Sequence, residues 1–322
     1  MSAGRVLVTY GGFAVDHADA GGALRAAGLE LSVHPRDADR TPDELVALGA
    51  GAVAAIADAD PFDAGVFTRW PQLRVIARTG VGLDSIDLEA ATAAGVVVTV
   101  TPGVNDETVA DHALALMLAA LRRLGEQDRQ VRGGGWRDFA LCGAQLHGAT
   151  VGLVGYGAIG RAVARRLRGF GAEIVAHDPL LEHADVALVT LEAVLAGSDV
   201  VSVHAPLSAT TRGLIGAVQI AAMKPGAVLV NTARGPIVDE DAVAAALERG
   251  HLGAAGLDVF GVEPPAGGPI TRAPNVMLSP HVGGISHASN LAMSRLAAAT
   301  VLARLDGRRP QHVVNPAALE AG

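Results

Sequence analysis

One stretch, Val151 to Asp178 (VGLVGYGAIGRAVARRLRGFGAEIVAHD), limits what this chain can fold into more than any other. Thr150 to Val154 reads as an apolar strand, after which the chain turns through Gly155, Gly157 and Gly160. Ile159, Val163 and Leu167 then recur about one helical turn apart, which predicts a helix. Glu173 to Ala176 reads as a second strand, and an acid, Asp178, closes the stretch. Strand, glycine turn, helix and strand in this order make up the dinucleotide-binding fingerprint. Gly155 permits the tight turn, Gly157 removes a Cβ that would block a pyrophosphate, and Gly160 lets helix and strand approach. Unpaired N–H groups at the helix N-terminus favour the phosphates. A carboxylate at Asp178 binds the adenosine ribose hydroxyls and repels a 2′-phosphate, so NAD is expected in preference to NADP.

The 322 residues suffice for two domains with sizeable cores, and 40 glycines with only 3% aromatics suit helices packed closely on parallel sheets. A net charge of −8 argues against nucleic acid and against an anionic membrane surface as partners. The single cysteine, Cys142, excludes an internal disulfide and a multi-cysteine metal site, and reads as a small buried hydrophobe. With no HExxH, a metal is not expected. No signal-like segment opens the sequence and no apolar run reaches membrane length, so a soluble, cytoplasmic protein is expected.

Strands and helices alternate through the first hundred residues. Strands are expected at Arg5–Tyr10, Leu29–His34, Ala52–Ile56, Leu73–Ala77 and Val96–Val100. Between them lie predicted helices at Asp16–Ala27, from Thr41-Pro42 to about Leu48, Phe62–Arg69 and Asp87–Ala94. Such alternation indicates a doubly wound parallel sheet. A long apolar helix, Asn105 to Leu124, is buried on more than one face, and Gly133 to Trp136 reads as a loop or arm. Beyond Asp178 the alternation resumes to a short strand at Val276–Ser279, and Ser286–Leu305 reads as a last helix. The fold class is therefore α/β, with two Rossmann-like parallel-sheet domains. Residues 1–101 and 286–322 form the substrate-binding (flavodoxin-like) domain, and residues 102–285, inserted into it, bind NAD.

Three polar residues follow successive predicted strands: Arg234 after VLVNTA, Glu263 after GLDVF and His281 after VMLSP. Ligands of open α/β sheets bind at that edge. Arginine matches a carboxylate bidentately, and histidine exchanges a proton near neutral pH. A carboxylate beside the imidazole fixes its tautomer and stabilises the imidazolium. These are the parts needed to oxidise an alcohol next to a carboxylate. Each residue also has a structural reading: Arg234 pairing Asp239 or Asp241, Glu263 as a solvated loop acid, His281 capping the helix beyond Gly283-Gly284. Asp111 and His112 read as a hydrogen-bonded core pair, and Arg165, Arg166 and Arg168 as a solvated helix face.

The segments RTGVGLDSIDLEAA, TPGVNDETVADHALALML, HAPLSATTRGLI, MKPGAVLVNTARGPIVDEDAV, AGLDVFGVEPP and LSPHVGG, together with the glycine fingerprint, run in order from about residue 73 to 285. In them the chain resembles the D-isomer-specific 2-hydroxyacid dehydrogenases, particularly phosphoglycerate dehydrogenase-like members. The resemblance implies an NAD-dependent oxidoreductase with Arg234 as substrate-binding and catalytic arginine, Glu263 as partner acid and His281 as acid–base. It implies that amides around Val81 and Gly82 hold the substrate carboxylate and that Asn105 stands near the active site. It places Ala158 and Ile159 at the pyrophosphate and Asp178 at the ribose. His204, Ala205, Pro206, Thr211, Thr232, Ala233, Arg234, Asp258, His281 and Gly283 would complete the cofactor site. With the apolar helix and the Trp136 arm as its candidate contacts, the resemblance also implies a homodimer.

Departures bear on the substrate. Asp111 replaces the usual glutamate of this motif. Phosphoglycerate dehydrogenases carry an arginine where this chain has Ala57-Asp58-Ala59-Asp60, and two acids there repel a phosphate. Arg78 remains as a candidate for an anionic substrate, while phosphoglycerate itself is disfavoured. An NAD-sensing, corepressor-like interaction protein is the alternative reading. Formate dehydrogenase, which carries glutamine beside its histidine, fits Glu263 poorly.

Overall fold

A computed structural model describes residues 4–15, 17–35 and 40–320. The chain divides into two compact units, Met1–Asn105 with Ile285–Gly322, and Asp106–Gly284. The first runs β1 (Arg5–Val8), α1 (Gly11–Val15), α2 (His17–Ala26), β2 (Glu30–Val33), α3 (Pro42–Gly49), β3 (Ala52–Ala57), α4 (Ala64–Arg69), β4 (Val75–Arg78), α5 (Leu88–Ala93) and β5 (Val97–Thr99). Its sheet has the order β2-β1-β3-β4-β5, parallel throughout. Successive side chains of a strand face opposite ways, and each face must be covered. Val6 and Val8 point into one apolar layer with Phe13 and Leu24, while Leu7 points into the other with Leu45, Phe67 and Trp70.

The second unit begins with α6 (Asp106–Leu121) and α7 (Leu124–Arg132) and continues with β6 (Thr150–Val154), α8 (Ala158–Gly169), β7 (Glu173–His177), β8 (Ala187–Leu188), α9 (Leu191–Gly197) and β9 (Val200–Val203). Then come α10 (Ala217–Ala221), β10 (Ala227–Asn231), α11 (Glu240–Glu248), β11 (Leu252–Leu257) and β12 (Val276–Leu278), and α12 (His287–Leu305) returns to the first unit. The sheet order is β12-β11-β10-β9-β6-β7-β8, again parallel. Ala113, Leu116, Met117 and Ala120 of α6 pack with Val151, Leu153, Val228 and Val230 on one face. Helices α9, α10 and α11 cover the other through Val194, Ile220, Val243 and Leu247.

Local chemistry explains the helix starts. Thr41 and Glu44 form a reciprocal capping box, with the Glu44 carboxylate accepting from Thr41 N at 2.8 Å and Pro42 in the first turn. Asp63, Asp87, Thr190, Asp239 and Ser286 each cap the helix that follows by accepting a backbone N–H. The C-terminal tail pairs with β5: Val313 bridges Thr99 antiparallel, and Asn315 Oδ1 accepts from Val98 N at 2.8 Å. An edge strand is thereby covered.

The elements depart from the sequence reading in three places. Helix begins at Gly11, earlier than the expected Asp16, which itself lies outside the described residues. The expected Asn105–Leu124 helix stops at Leu121, because Arg123 takes a left-handed conformation (φ +53°), and α7 starts beyond it. The short β8 pairs with β7 and was not expected.

Candidate active site

In the second sheet the strands end level. Val154 pairs with His177 and Val203, Asn231 with Val203 and Leu257, and Leu257 with Leu278. Each residue just past these ends therefore stands in one row: Gly155, Asp178, His204, Thr232, Asp258 and Ser279. The connections leave β6 and β9 in opposite directions, which opens a crevice between their ends.

The glycine turn occupies that crevice. Gly155 has φ +95°, and a Cβ there would lie 2.7 Å from Ala205 N, so only glycine lets the two strand ends meet. A Cβ on Gly160 would lie 2.5 Å from the Gly155 carbonyl oxygen. Gly157, the N-cap of α8, has open space on the side a Cβ would fill and no side-chain cap for the helix N–H groups. Asp178 accepts from Tyr156 N at 2.9 Å on one oxygen and from Leu180 N at 3.0 Å on the other. A carboxylate so held keeps further lone pairs for hydroxyl donors. Farther along the row, His204 Nδ1 and Thr232 Oγ1 are buried without a hydrogen-bond partner. Buried polar atoms are ordinarily satisfied, so the row fits a polar ligand such as a dinucleotide. Burial pushes the His204 pKa down to about 4, and its Nε2 sits 2.9 Å from Ser202 Oγ. Among the other expected cofactor residues, Thr211 Oγ1 donates to the Pro206 carbonyl (2.6 Å) and Ala233 N to Asn231 Oδ1 (3.0 Å).

Arg234, Glu263 and His281 follow three adjacent strands, β10, β11 and β12. Asn231, almost fully buried, pins the first loop by donating to the Arg234 carbonyl at 2.9 Å. Gly235 is pressed against the β11 loop, where a Cβ would stand 1.9 Å from the Phe260 carbonyl carbon. That backbone contact carries Arg234 into the electrostatic reach of Glu263. Glu263 Oε1 accepts from Phe260 N at 3.0 Å, and Oε2 lies 2.7 Å from His281 Nδ1. Burial alone pushes the Glu263 pKa up. The hydrogen bond and charge of His281, the Phe260 N–H and the charge of Arg234 outweigh it and hold the carboxyl below its ordinary value. With a carboxylate on Nδ1, that nitrogen carries the proton of neutral His281 and Nε2 is left as the acceptor.

His281 adopts φ +52°, a left-handed conformation costing an L-residue about 1–2 kcal/mol. Asp258 holds it there. The Asp258 carbonyl accepts from His281 N at 2.8 Å, while its carboxylate accepts from Val282 N (3.0 Å), Gly283 N (2.7 Å) and Ser279 Oγ (2.6 Å). Asp239 is engaged as the N-cap of α11, and Ser286, not His281, caps α12.

In the first unit the Arg78 side chain is buried and turned back on its own loop, donating to the carbonyls of Thr79 and Gly82 and lying 3.8 Å from Asp58. The N–H groups of Val81 and Gly82 donate to no acceptor among the described residues. Asp60 is fully buried and ion-paired with Arg40, so only Asp58 of the two expected acids presents exposed charge. Asn105, the last residue before α6, has a buried Oδ1 without a partner.

Other expectations fail. Cys142 is exposed, because it lies outside any core layer in the stretch between Leu141 and β6. Asp111 and His112 do not pair: Asp111 points outward to Arg166 (2.6 Å), and His112 Nε2 reaches Ser279 Oγ (2.8 Å). Nor is the arginine face of α8 merely solvated. Arg165 and Arg166 bind Glu107 of α6, and Arg168 binds Asp185 at 2.6 Å. The acids that capture these arginines are remote in sequence, so helix periodicity gave no sign of them.

Residues 114–283 match the family model described as D-isomer specific 2-hydroxyacid dehydrogenase, NAD binding domain. The chain is 44% identical to a glyoxylate reductase of Korarchaeum cryptofilum over 80% of either protein. It is 40% identical to a D-3-phosphoglycerate dehydrogenase of Mycobacterium leprae, covering 81% of this chain and 50% of that one. The solved structure of the TT0316 protein from Thermus thermophilus superposes with a TM-score of 0.89 at 42% identity, over 96% of this chain and 99% of that one. The chain belongs to the D-isomer-specific 2-hydroxyacid dehydrogenase family. It is an NAD-dependent oxidoreductase acting on the CH–OH group of 2-hydroxyacids, and nothing in these matches favours a corepressor-like protein.

Proposed function

We propose that this enzyme interconverts a D-2-hydroxyacid and its 2-ketoacid, with His281 as acid–base, Glu263 as its partner and Arg234 as the substrate-binding arginine. The observation that carries the proposal is the 2.7 Å contact between His281 Nδ1 and Glu263 Oε2 beside the charge of Arg234. NAD, when bound at the glycine turn, supplies hydride transfer at its nicotinamide. Toward ketoacid, His281 Nε2 takes the hydroxyl proton and Glu263 stabilises the resulting imidazolium; in reverse the same nitrogen returns it. Arg234 forks onto the substrate carboxylate and polarises the adjoining carbonyl.

The unused amides of Val81 and Gly82 are the further carboxylate donors, and Arg78 acts by tying down the carbonyls of their loop. Asp178 favours NAD over NADP. The exposed charge of Asp58 disfavours a phosphorylated substrate, and a small unphosphorylated 2-ketoacid fits better. The relative named glyoxylate reductase, aligned over most of its length, supports that choice.

The test is NADH absorbance during incubation with a panel of 2-ketoacids, phosphorylated and not. Oxidation with at least one unphosphorylated ketoacid is expected, lowered by about three orders of magnitude in His281→Ala with NADH affinity retained. Full turnover by that variant would remove His281 from the chemistry. Turnover confined to 3-phosphohydroxypyruvate would overturn the substrate assignment.

A further inference from the structure

His112 stands out among polar residues to which the proposed chemistry gives no task. It lies on α6, a helix otherwise packed by valine, alanine, leucine and methionine, and its Nε2 reaches Ser279 Oγ at 2.8 Å across 167 residues of sequence. Ser279 in turn donates to Asp258 Oδ1 at 2.6 Å. A serine hydroxyl has one proton, and that proton is spent on Asp258, so His112 must be the donor to Ser279. Its Nε2 also lies 3.3 Å from the same carboxylate oxygen. The chain therefore runs His112 Nε2–H to Ser279 O–H to Asp258, ending on the carboxylate that grips Val282 N and Gly283 N.

His281, in its left-handed conformation, sits between Ser279 and these two gripped amides. A strained backbone persists only where its surroundings over-determine it. The donors on Asp258 supply that constraint, and the site is packed tightly enough that a Cβ on Gly283 would stand 2.7 Å from Asp258 Oδ2 and 3.3 Å from His112 Cδ2. We propose that His112 is a positioning residue for the acid–base: it fixes Ser279 and Asp258, which hold the 279–283 loop so that the His281 imidazole meets Glu263. It touches no substrate and transfers no proton. The inference rests on the acid–base reading of His281 given above.

The test uses the full chain with NADH and a 2-ketoacid substrate. His112→Leu removes the donor, and the loosened loop lowers kcat roughly ten- to a hundredfold, the scale set by displacing a reacting group by an ångström or less. KM for NADH changes far less than kcat, because Gly155, Gly157 and Asp178, at the pyrophosphate and ribose end of the cofactor site, are untouched. His112→Gln places an amide N–H near the same point and restores most of the turnover, a rescue that simple loss of helix packing would not show. Should His112→Leu fail to fold, Ser279→Ala replaces it, and a His112→Gln, Ser279→Ala double variant is expected to be no slower than Ser279→Ala alone. Wild-type turnover in His112→Leu, with His281→Ala inactive, overturns this inference and leaves the acid–base reading standing. Equal impairment of the Leu and Gln variants overturns it too. An active His281→Ala overturns both.

Discussion

Two histidines, His204 and His281, end strands of the same sheet, and their surroundings set opposite behaviours. His281 has a carboxylate partner and nearly half its side chain exposed. His204 has a serine hydroxyl, an unpartnered buried Nδ1 and a pKa pushed by burial down to about 4, so it stays neutral near pH 7. The unfolded chain protonates this residue near pH 6.5, and the folded one near 4. Between those values the unfolded state binds more protons, so the His204 term lowers stability as pH falls through the window. The whole term amounts to roughly 3 kcal/mol and is fully absent above pH 7. Urea midpoints of the cofactor-free protein, wild type against His204→Gln, are expected to diverge between pH 6.5 and 4.5, with the variant losing less. Parallel curves would show that some other group dominates the acid limb. At this scale the placement of Arg234, Glu263 and His281 along one sheet edge was legible, because each follows a strand in a parallel sheet, where position in sequence fixes the edge. The partners of His112, Asp111 and the α8 arginines were not, since helix periodicity gives the face a residue occupies and not what arrives opposite it.

Strand, turn and helix around Gly155 to Gly160 behave as one element, and its glycines separate packing from binding. Gly160 faces the Gly155 carbonyl at a distance no Cβ tolerates, whereas Gly157 faces open space. Gly160→Ala is therefore expected to lower the melting temperature, by a ΔΔG of about 1–3 kcal/mol for an overpacked contact. Gly157→Ala should leave melting of the cofactor-free protein within a degree or so and weaken NADH at least tenfold, because its methyl enters the space expected for pyrophosphate. Calorimetry and fluorescence titration on the pair check both readouts, and a Gly157 variant with wild-type NADH affinity would move the pyrophosphate elsewhere. Elsewhere the element boundaries were readable where a cap residue marked them, as at Thr41, Asp87 and Ser286. They were unreadable at Arg123, where a single left-handed residue ends the apolar helix at Leu121, short of the expected Leu124. The two-residue β8 left no pattern long enough to recognise.

For the whole molecule, two parallel sheets were foreseeable from alternating strands and helices, and the tail's pairing with β5 explains why the last residues belong with the first hundred. Association with a second copy is where composition and surface meet. The segment from α7 to Cys142 exposes Leu124, Val131, Trp136 and Phe139, the last two about four-fifths open to solvent. Scattered apolar residues are ordinary on a surface, but four large exposed ones lie here within sixteen positions of the chain, a concentration that water penalises. Covering Trp136 and Phe139 contributes roughly 2–3 kcal/mol each, a useful share of what a stable interface requires. The family resemblance points to a second copy of this chain as the cover, and the proposed homodimer follows. Sedimentation equilibrium is expected to give twice the chain mass for the wild type and a concentration-dependent shift to single chains for Trp136→Asp with Phe139→Asp. The second unit's core contains neither residue, so the variant should keep its far-ultraviolet dichroism and its NADH affinity. A wild type that sediments as single chains at micromolar concentration, or a double variant that remains fully paired, would show that this patch serves something other than self-association.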